Sequence, residues 1–426
     1  MRKWLIGCGG LFGVFFLACL GVGWWLTRPP KIELPTRQYP PNNTYTQYRQ
    51  LGEEMHARFE RDVRFKQIEN ALTMGQPVSS ADRAYYLQCI EPYLRAYAPL
   101  TTQPCKAIFE YDFNWRFPEY AQMRRIARAE SYLIREAMRQ KRYADALTRI
   151  ERLNRLVDQI RTDSPMIGYL VGVAINTIAL APAREELPRM QEPKIQERLL
   201  QMARAYETRR IPLWKTMEQE RYFILSVLDQ LARGELQLNQ LSETEAAIPE
   251  RRIVMRFLVN RSLPEFNRLM DLQIRELQKP FHERDRKALE EQPKQLLNGI
   301  LFPVFSQADL REMSEVATMR LIGCTAAIRL HKLRTGRYPA SLEALKLGAM
   351  CIDPFTGAPF RYQVDPKRGF LLYSVGANRV DDGGAVPYGG VSEPHGDLSA
   401  VSVRLPESLR STERANRPLA PPVWLQ

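Results

Sequence analysis

The sequence predicts a mainly α protein that ends in a small α+β unit, and three observations lead there. Apolar residues recur at three- and four-residue steps through most of the chain, as in Leu147, Ile150, Leu153, Val157 and Ile160. An uncharged apolar run, residues 4–26, opens it. Beyond Gly336 the pattern changes to short apolar runs broken by Pro and Gly turns; 360–364 and 370–374 read as a hairpin in a short antiparallel sheet.

The run at 4–26 is long enough, at about 1.5 Å per residue, to cross a hydrocarbon core of about 30 Å. Arg2 and Lys3 precede it, and Trp24 and Trp25 stand at its far edge, where amphipathic rings favour the interface. No small-residue cleavage site follows, so an uncleaved anchor is expected rather than a signal peptide. Leu5-Ile6-Gly7-Cys8 imitates a lipoprotein box but opens the apolar core instead of following it. A short tail (1–3) need not translocate. The expected topology is therefore a single pass through the inner (cytoplasmic) membrane, with the N-terminus in the cytoplasm and the rest periplasmic or otherwise extracytoplasmic.

Residues 27–46 carry Pro29-Pro30 and Pro40-Pro41, which predicts an extended tether holding the ectodomain off the bilayer. Residues 47–312 read as a domain of packed helices. Gln140 to Tyr143 joins two of them in a hairpin that is faintly like a tetratricopeptide pair, without the repeat period. Met166 to Ala181 is almost wholly apolar, but it is short for a span and carries Asn176 and Thr177, so a buried core helix is expected. A helix is expected from Pro264 to Lys279, then a charged, exposed connection to Gln295. A last amphipathic helix through Val316, Met319, Ala326 and Leu330 should stop at Gly336. Residues 313–402 form the α+β head, and 403–426 read as a disordered tail.

The formal net charge is +13, from 61 Lys+Arg against 48 Asp+Glu. The basic residues are interleaved with acidic ones along the helices, and no zinc-finger spacing or basic arm occurs, so nucleic acid is not an expected partner. Outside the span stand Cys89, Cys105, Cys324 and Cys351, an even number suited to a disulfide-permitting compartment. Cys89–Cys105 and Cys324–Cys351 are the local pairings; four cysteines allow three connectivities, and buried free thiols are an equal alternative.

Three pieces near the C-terminus resemble the head of type II secretion major pseudopilins, which are type IV pilin-like proteins. They are LHKLRTGRYPASLEAL from Leu330, DPFTGAPFRY from Asp353 and FLLYSVGANRVDDGG from Phe370, in the family's order, with Gly396-Asp397-Leu398 as the closing element. The resemblance implies a calcium-holding loop, and residue by residue it falls on Ser374, Asn378, Asp381, Asp382 and Asp397. Asn378 stands where the family usually has Asp, which removes one negative charge. The N-terminal span lacks the family's processing motif, and the helical domain separates it from the head. The chain therefore reads as having borrowed the head as a module, not as a fibre subunit. The remainder resembles large membrane-anchored proteins of bacteria such as planctomycetes.

No zinc-peptidase HExxH, GxSxG, Walker A or dinucleotide glycine pattern occurs, and Glu130 and Glu136 read as surface carboxylates. Tyr111, Phe113, Trp115, Phe117 and Tyr120 are the densest aromatic group; they serve either core packing or a partner surface. The expected function is structural or protein-binding at the cell envelope, associated with secretion or pilus-like machinery. The alternative is an envelope hydrolase or glycan-binding protein with its site in the helical domain.

Overall fold

The computed structural model describes residues 27–241, 251–302, 305–388, 395–409, 412–413 and 417–426, with Gly21, Gly23 and Trp24. The expected span at 4–26 otherwise lies outside the described residues. Twelve α-helices precede the sheet among the described residues beyond Thr27. They are α1 Tyr45–Phe59, α2 Val63–Thr73, α3 Ser80–Leu100, α4 Pro118–Arg139, α5 Tyr143–Arg161 and α6 Met166–Glu186. Then come α7 Pro193–Arg209, α8 Leu213–Arg233, α9 Arg252–Gln278, the short α10 Arg286–Leu289 and α11 Leu296–Leu301, and the long α12 Ser306–Thr335.

Local chemistry sets their ends. Asp62 and Ser79 cap α2 and α3 by accepting the backbone N–H of Phe65 and of Asp82. Pro118 and Pro193 occupy first turns, where a missing N–H costs nothing. Gly234 and Gly336 end α8 and α12 in the left-handed conformation. The α4–α5 hairpin falls where the sequence predicts it. Pro264 does not begin a helix; it sits inside α9, which starts twelve residues earlier at Arg252.

Helix α6 is the one described helix long and apolar enough to cross a membrane by composition. It packs against α4 and α5, with Ile175, Ala179 and Leu180 buried, and is the core helix its polar Asn176 suggests. The connection expected to be exposed at 280–295 is partly interior: Phe281 is buried against Phe355 of the head.

Strands β1 Arg361–Asp365 and β2 Gly369–Ser374 form the predicted hairpin, with Arg361 opposite Tyr373 and Asp365 opposite Gly369. Asp365 shapes the turn by accepting the backbone N–H of Lys367 and Arg368. β1 is exposed or half-buried along its length, whereas every residue of β2 is buried. β3 Leu398–Ser399 joins the other edge of β2, so the order is β1-β2-β3.

Three expectations about organisation are corrected here. The head is not a separate module: α12 packs on α6, α7 and α8 and also on β2 and β3, and one apolar core runs from Tyr45 through Met313 to Phe370 and Leu425. A boundary at 312/313 would cut α12 near its start. Residues 417–426 are not a loose tail. Leu425 is 1% exposed and exchanges both backbone hydrogen bonds with Phe370, and Ala420 does the same with Val386. Arg329 donates to the Gln426 carbonyl, and Trp424 lies under the Arg368 guanidinium. Nor is 27–46 a free spacer. The Arg37 guanidinium lies 3.8 Å from the Phe109 ring centre and donates to Gln219 and to the Ala107 and Asp163 carbonyls. Proline makes the segment extended, but its polar groups find partners on the body.

Candidate functional site

The five residues to which the resemblance gives a calcium role lie at the end of β2 and in the loop to β3, and the structure sends them to four places. Ser374 closes β2 and is committed to Asp353, the first residue of the DPFTG turn. Asp353 is buried; its carboxylate accepts the backbone N–H of Phe355 and of Val375, tying the turn to the end of β2. Burial pushes its carboxyl up while these donors pull it down. Asn378 folds its side chain back onto the N–H of Val380. Asp381 faces outward. It accepts the Tyr373 hydroxyl at 2.8 Å and pairs with Arg361 at 3.1 Å, and the tyrosine bond is the main cause holding its carboxyl below the usual range.

Asp382 and Asp397 are the two that come together. Asp397, just before β3, is 0% exposed. One oxygen accepts the Gly384 N–H at 2.7 Å; its Oδ1 and the Asp382 Oδ2 are both buried without a hydrogen-bond donor among the described residues. Gly384 can aim its N–H inward because its φ is +88°, a conformation that L side chains rarely adopt. Burial pushes the Asp397 carboxyl up to about 6; the Gly384 and Asp382 amides oppose the shift, and the charges of Asp382 and Asp381 add to it.

The charge of Asp382 acts on Asp397, so the two carboxylates repel each other when ionised, and a hard cation suits their buried, donor-free oxygens. Among the described residues no three His, Cys, Asp or Glu side chains converge on one point. The five-residue ligand set is thus reduced to a pair, with Ser374, Asn378 and Asp381 engaged elsewhere. A calcium ion there would draw its other oxygens from backbone carbonyls or water. In the sequence Asp353 reads only as part of a motif. Its role as the strut under the loop depends on the pairing of the 353 turn with β2, which spacing alone does not reveal.

The four described cysteines are free thiols. Cys89 lies in α3 near Arg58, Tyr85 and Tyr93, whereas Cys105 lies past the end of that helix, near Thr44 and Tyr48. Roughly 16 Å of intervening helix keeps them apart, so this expected pairing is not met. Cys324, in α12, and Cys351 face each other with their thiols in hydrogen-bond contact, and the Cys324 sulfur lies 3.6 Å from the Met350 carbonyl.

The aromatic group turns mostly inward. Phe117 stacks on the buried Tyr120 at 4.9 Å, Tyr111 meets Phe109 edge to face, and Tyr111, Trp115 and Phe117 pack on the main core. Phe113 packs on a second core lying between α8 and α9. Glu130 corrects a further expectation. It is 0% exposed, bonded to the Tyr97 hydroxyl and paired with Arg149 and Arg152.

No family model, curated protein or solved structure matches the chain.

Proposed function

We propose that the chain is a membrane-anchored protein of the bacterial cell envelope with a structural or protein-binding role, its pilin-like head built into a helical body. Residues 4–26 are the proposed single span, and the body is proposed to lie outside the cytoplasm. The observation that carries this reading is the Asp382–Asp397 pair. Carboxylate oxygens buried beneath a glycine-rich surface loop suit a cation that fixes the loop's shape, and a fixed loop suits recognition of another protein. Calcium is the proposed cation, and a component of secretion or pilus-like machinery the proposed partner.

Two measurements test this. Crosslinking in native membranes, followed by purification through a C-terminal tag, should recover assembly components alongside the chain. Recovery of the chain alone, under conditions that capture a known envelope complex, would count against a docking role. A thermal melt of the full chain in detergent should rise with calcium and fall with chelator; a melt indifferent to both removes the cation.

A further inference from the structure

A cleft of about 700 Å³ opens between the α2–α3 connection, α4, α6 and the segment around Leu405, on the helical body and away from the head loop. Its volume falls in the range of small-molecule sites. Five arginines line it (Arg83, Arg128, Arg135, Arg139 and Arg404) against three glutamates. The glutamates are already engaged: Glu69 with Arg125, Glu136 with Arg139, and Glu185 with both Arg135 and Arg404. That leaves Arg83 and Arg128 without a carboxylate, and neither donates a side-chain hydrogen bond to any described residue. The Arg83 Nε is moreover buried with no acceptor. Two like charges without counter-ions repel each other, and burying a guanidinium nitrogen unbonded is costly.

Beside the polar Thr73, Gln76 and Ser131, the lining has an apolar and aromatic part. Tyr86 and Tyr132 meet edge to face at 6.5 Å, close enough to the two arginines to feel their charge, and Met74, Val78 and Ile178 complete the wall. Planar guanidinium forks match phosphate and carboxylate oxygens, and they do so beside a surface that takes a ring or short chain.

We propose that this cleft binds a small organic anion, a phosphate ester or carboxylate bearing an apolar or ring portion, with Arg83 and Arg128 holding the oxyanion. The site is independent of the head loop and of calcium. Its ligand can be a soluble metabolite or the headgroup of an anionic lipid, and the chemistry at the arginines is the same.

The test is calorimetric titration of the full chain in neutral detergent with phenyl phosphate, glycerol 3-phosphate and short-chain phosphatidic acid, with phenol as the uncharged control. At least one phosphate should bind, and the double variant R83Q/R128Q should weaken it by at least about tenfold, while R83K/R128K restores part of the affinity. The glutamine variant should melt no lower than the parent, because these cations have no partner to lose. Preference for a soluble ester marks a metabolite site, and preference for the phosphatidic acid marks a lipid site. Absence of binding by all three, phenol binding as tight as phenyl phosphate, or affinity unchanged in R83Q/R128Q would each overturn the proposal.

Discussion

Arg161 and Glu315 meet through two parallel hydrogen bonds, 3.0 and 2.7 Å long, that join α5 to α12 where both side chains are largely buried. Asn176 of α6 donates to the same carboxylate, and the guanidinium lies 4.6 Å from the Tyr169 ring centre. Gly172 makes the room: a Cβ there would stand 2.7 Å from the Arg161 Nε. Burial works against the arginine's charge, and Glu315 together with Tyr169 and Tyr206 outweighs it.

Removing one partner should therefore strand the other. Glu315→Gln or Arg161→Met is expected to cost about 3–5 kcal/mol, and the double variant markedly less than the sum. Urea denaturation followed by circular dichroism reads this. Additive losses would mean that the two residues act separately.

Asp397 carries a pH prediction. Its native carboxyl titrates at about 6 against an ordinary 3.8, so between these values the folded state binds more protons than the unfolded chain. Without calcium, this group's contribution to stability falls as pH rises through that window and then levels off, by no more than about 3 kcal/mol. Asp397→Asn should abolish the slope and raise the calcium-free melting temperature at pH 7. The same variant should lose any calcium response, which in the parent grows as pH passes 6. A variant that melts lower than the parent without calcium would contradict the unpaired-charge reading.

The thiols divide unequally. Mild oxidation with a disulfide reagent should link Cys324 to Cys351 and leave Cys89 and Cys105 reduced. Peptide mapping of alkylated protein distinguishes these outcomes, and a Cys89–Cys105 bridge would contradict the placement of α3.

Gly369 holds the sheet closed on the C-terminal segment. Its φ is +101°, and a Cβ would stand 2.1 Å from the Leu425 carbonyl oxygen. Gly369→Ala should lift residues 417–426 off β2 and accelerate their amide exchange. Leu425→Ala should cost about 2–4 kcal/mol while the hairpin remains. Hydrogen exchange by mass spectrometry reads both, and unchanged protection at 417–426 would refute the contact.

Much of the helical architecture was legible because its signals are local. The α4–α5 hairpin, the burial of α6, the stop at Gly336 and the β1–β2 hairpin all follow from periodicity or turn chemistry within some twenty residues. What escaped depends on contacts distant in sequence. Nothing near Leu425 announces Phe370, and nothing near Arg37 announces Gln219. Glu130 looks like any helix-surface carboxylate until Tyr97, Arg149 and Arg152 close around it. In the loop, composition pointed to a set of five residues but not to how they divide. Asp381 and Asp382 are neighbours in sequence, yet one pairs with Arg361 at the surface while the other has a buried oxygen without a donor.

The docking of Arg37 bears on how the molecule would stand at a membrane. With residues 4–26 as the proposed span, the chain emerges at Arg28, whose carbonyl accepts a hydrogen bond from Asn260 of α9, and is pinned again at Arg37. On that proposal little slack would be left between bilayer and body. The protein would then behave as a bracket bolted to a wall and not as a ball on a string. Each of its surfaces, the cleft and the head loop included, would keep a constant bearing toward the lipid, and a partner would meet it from one side.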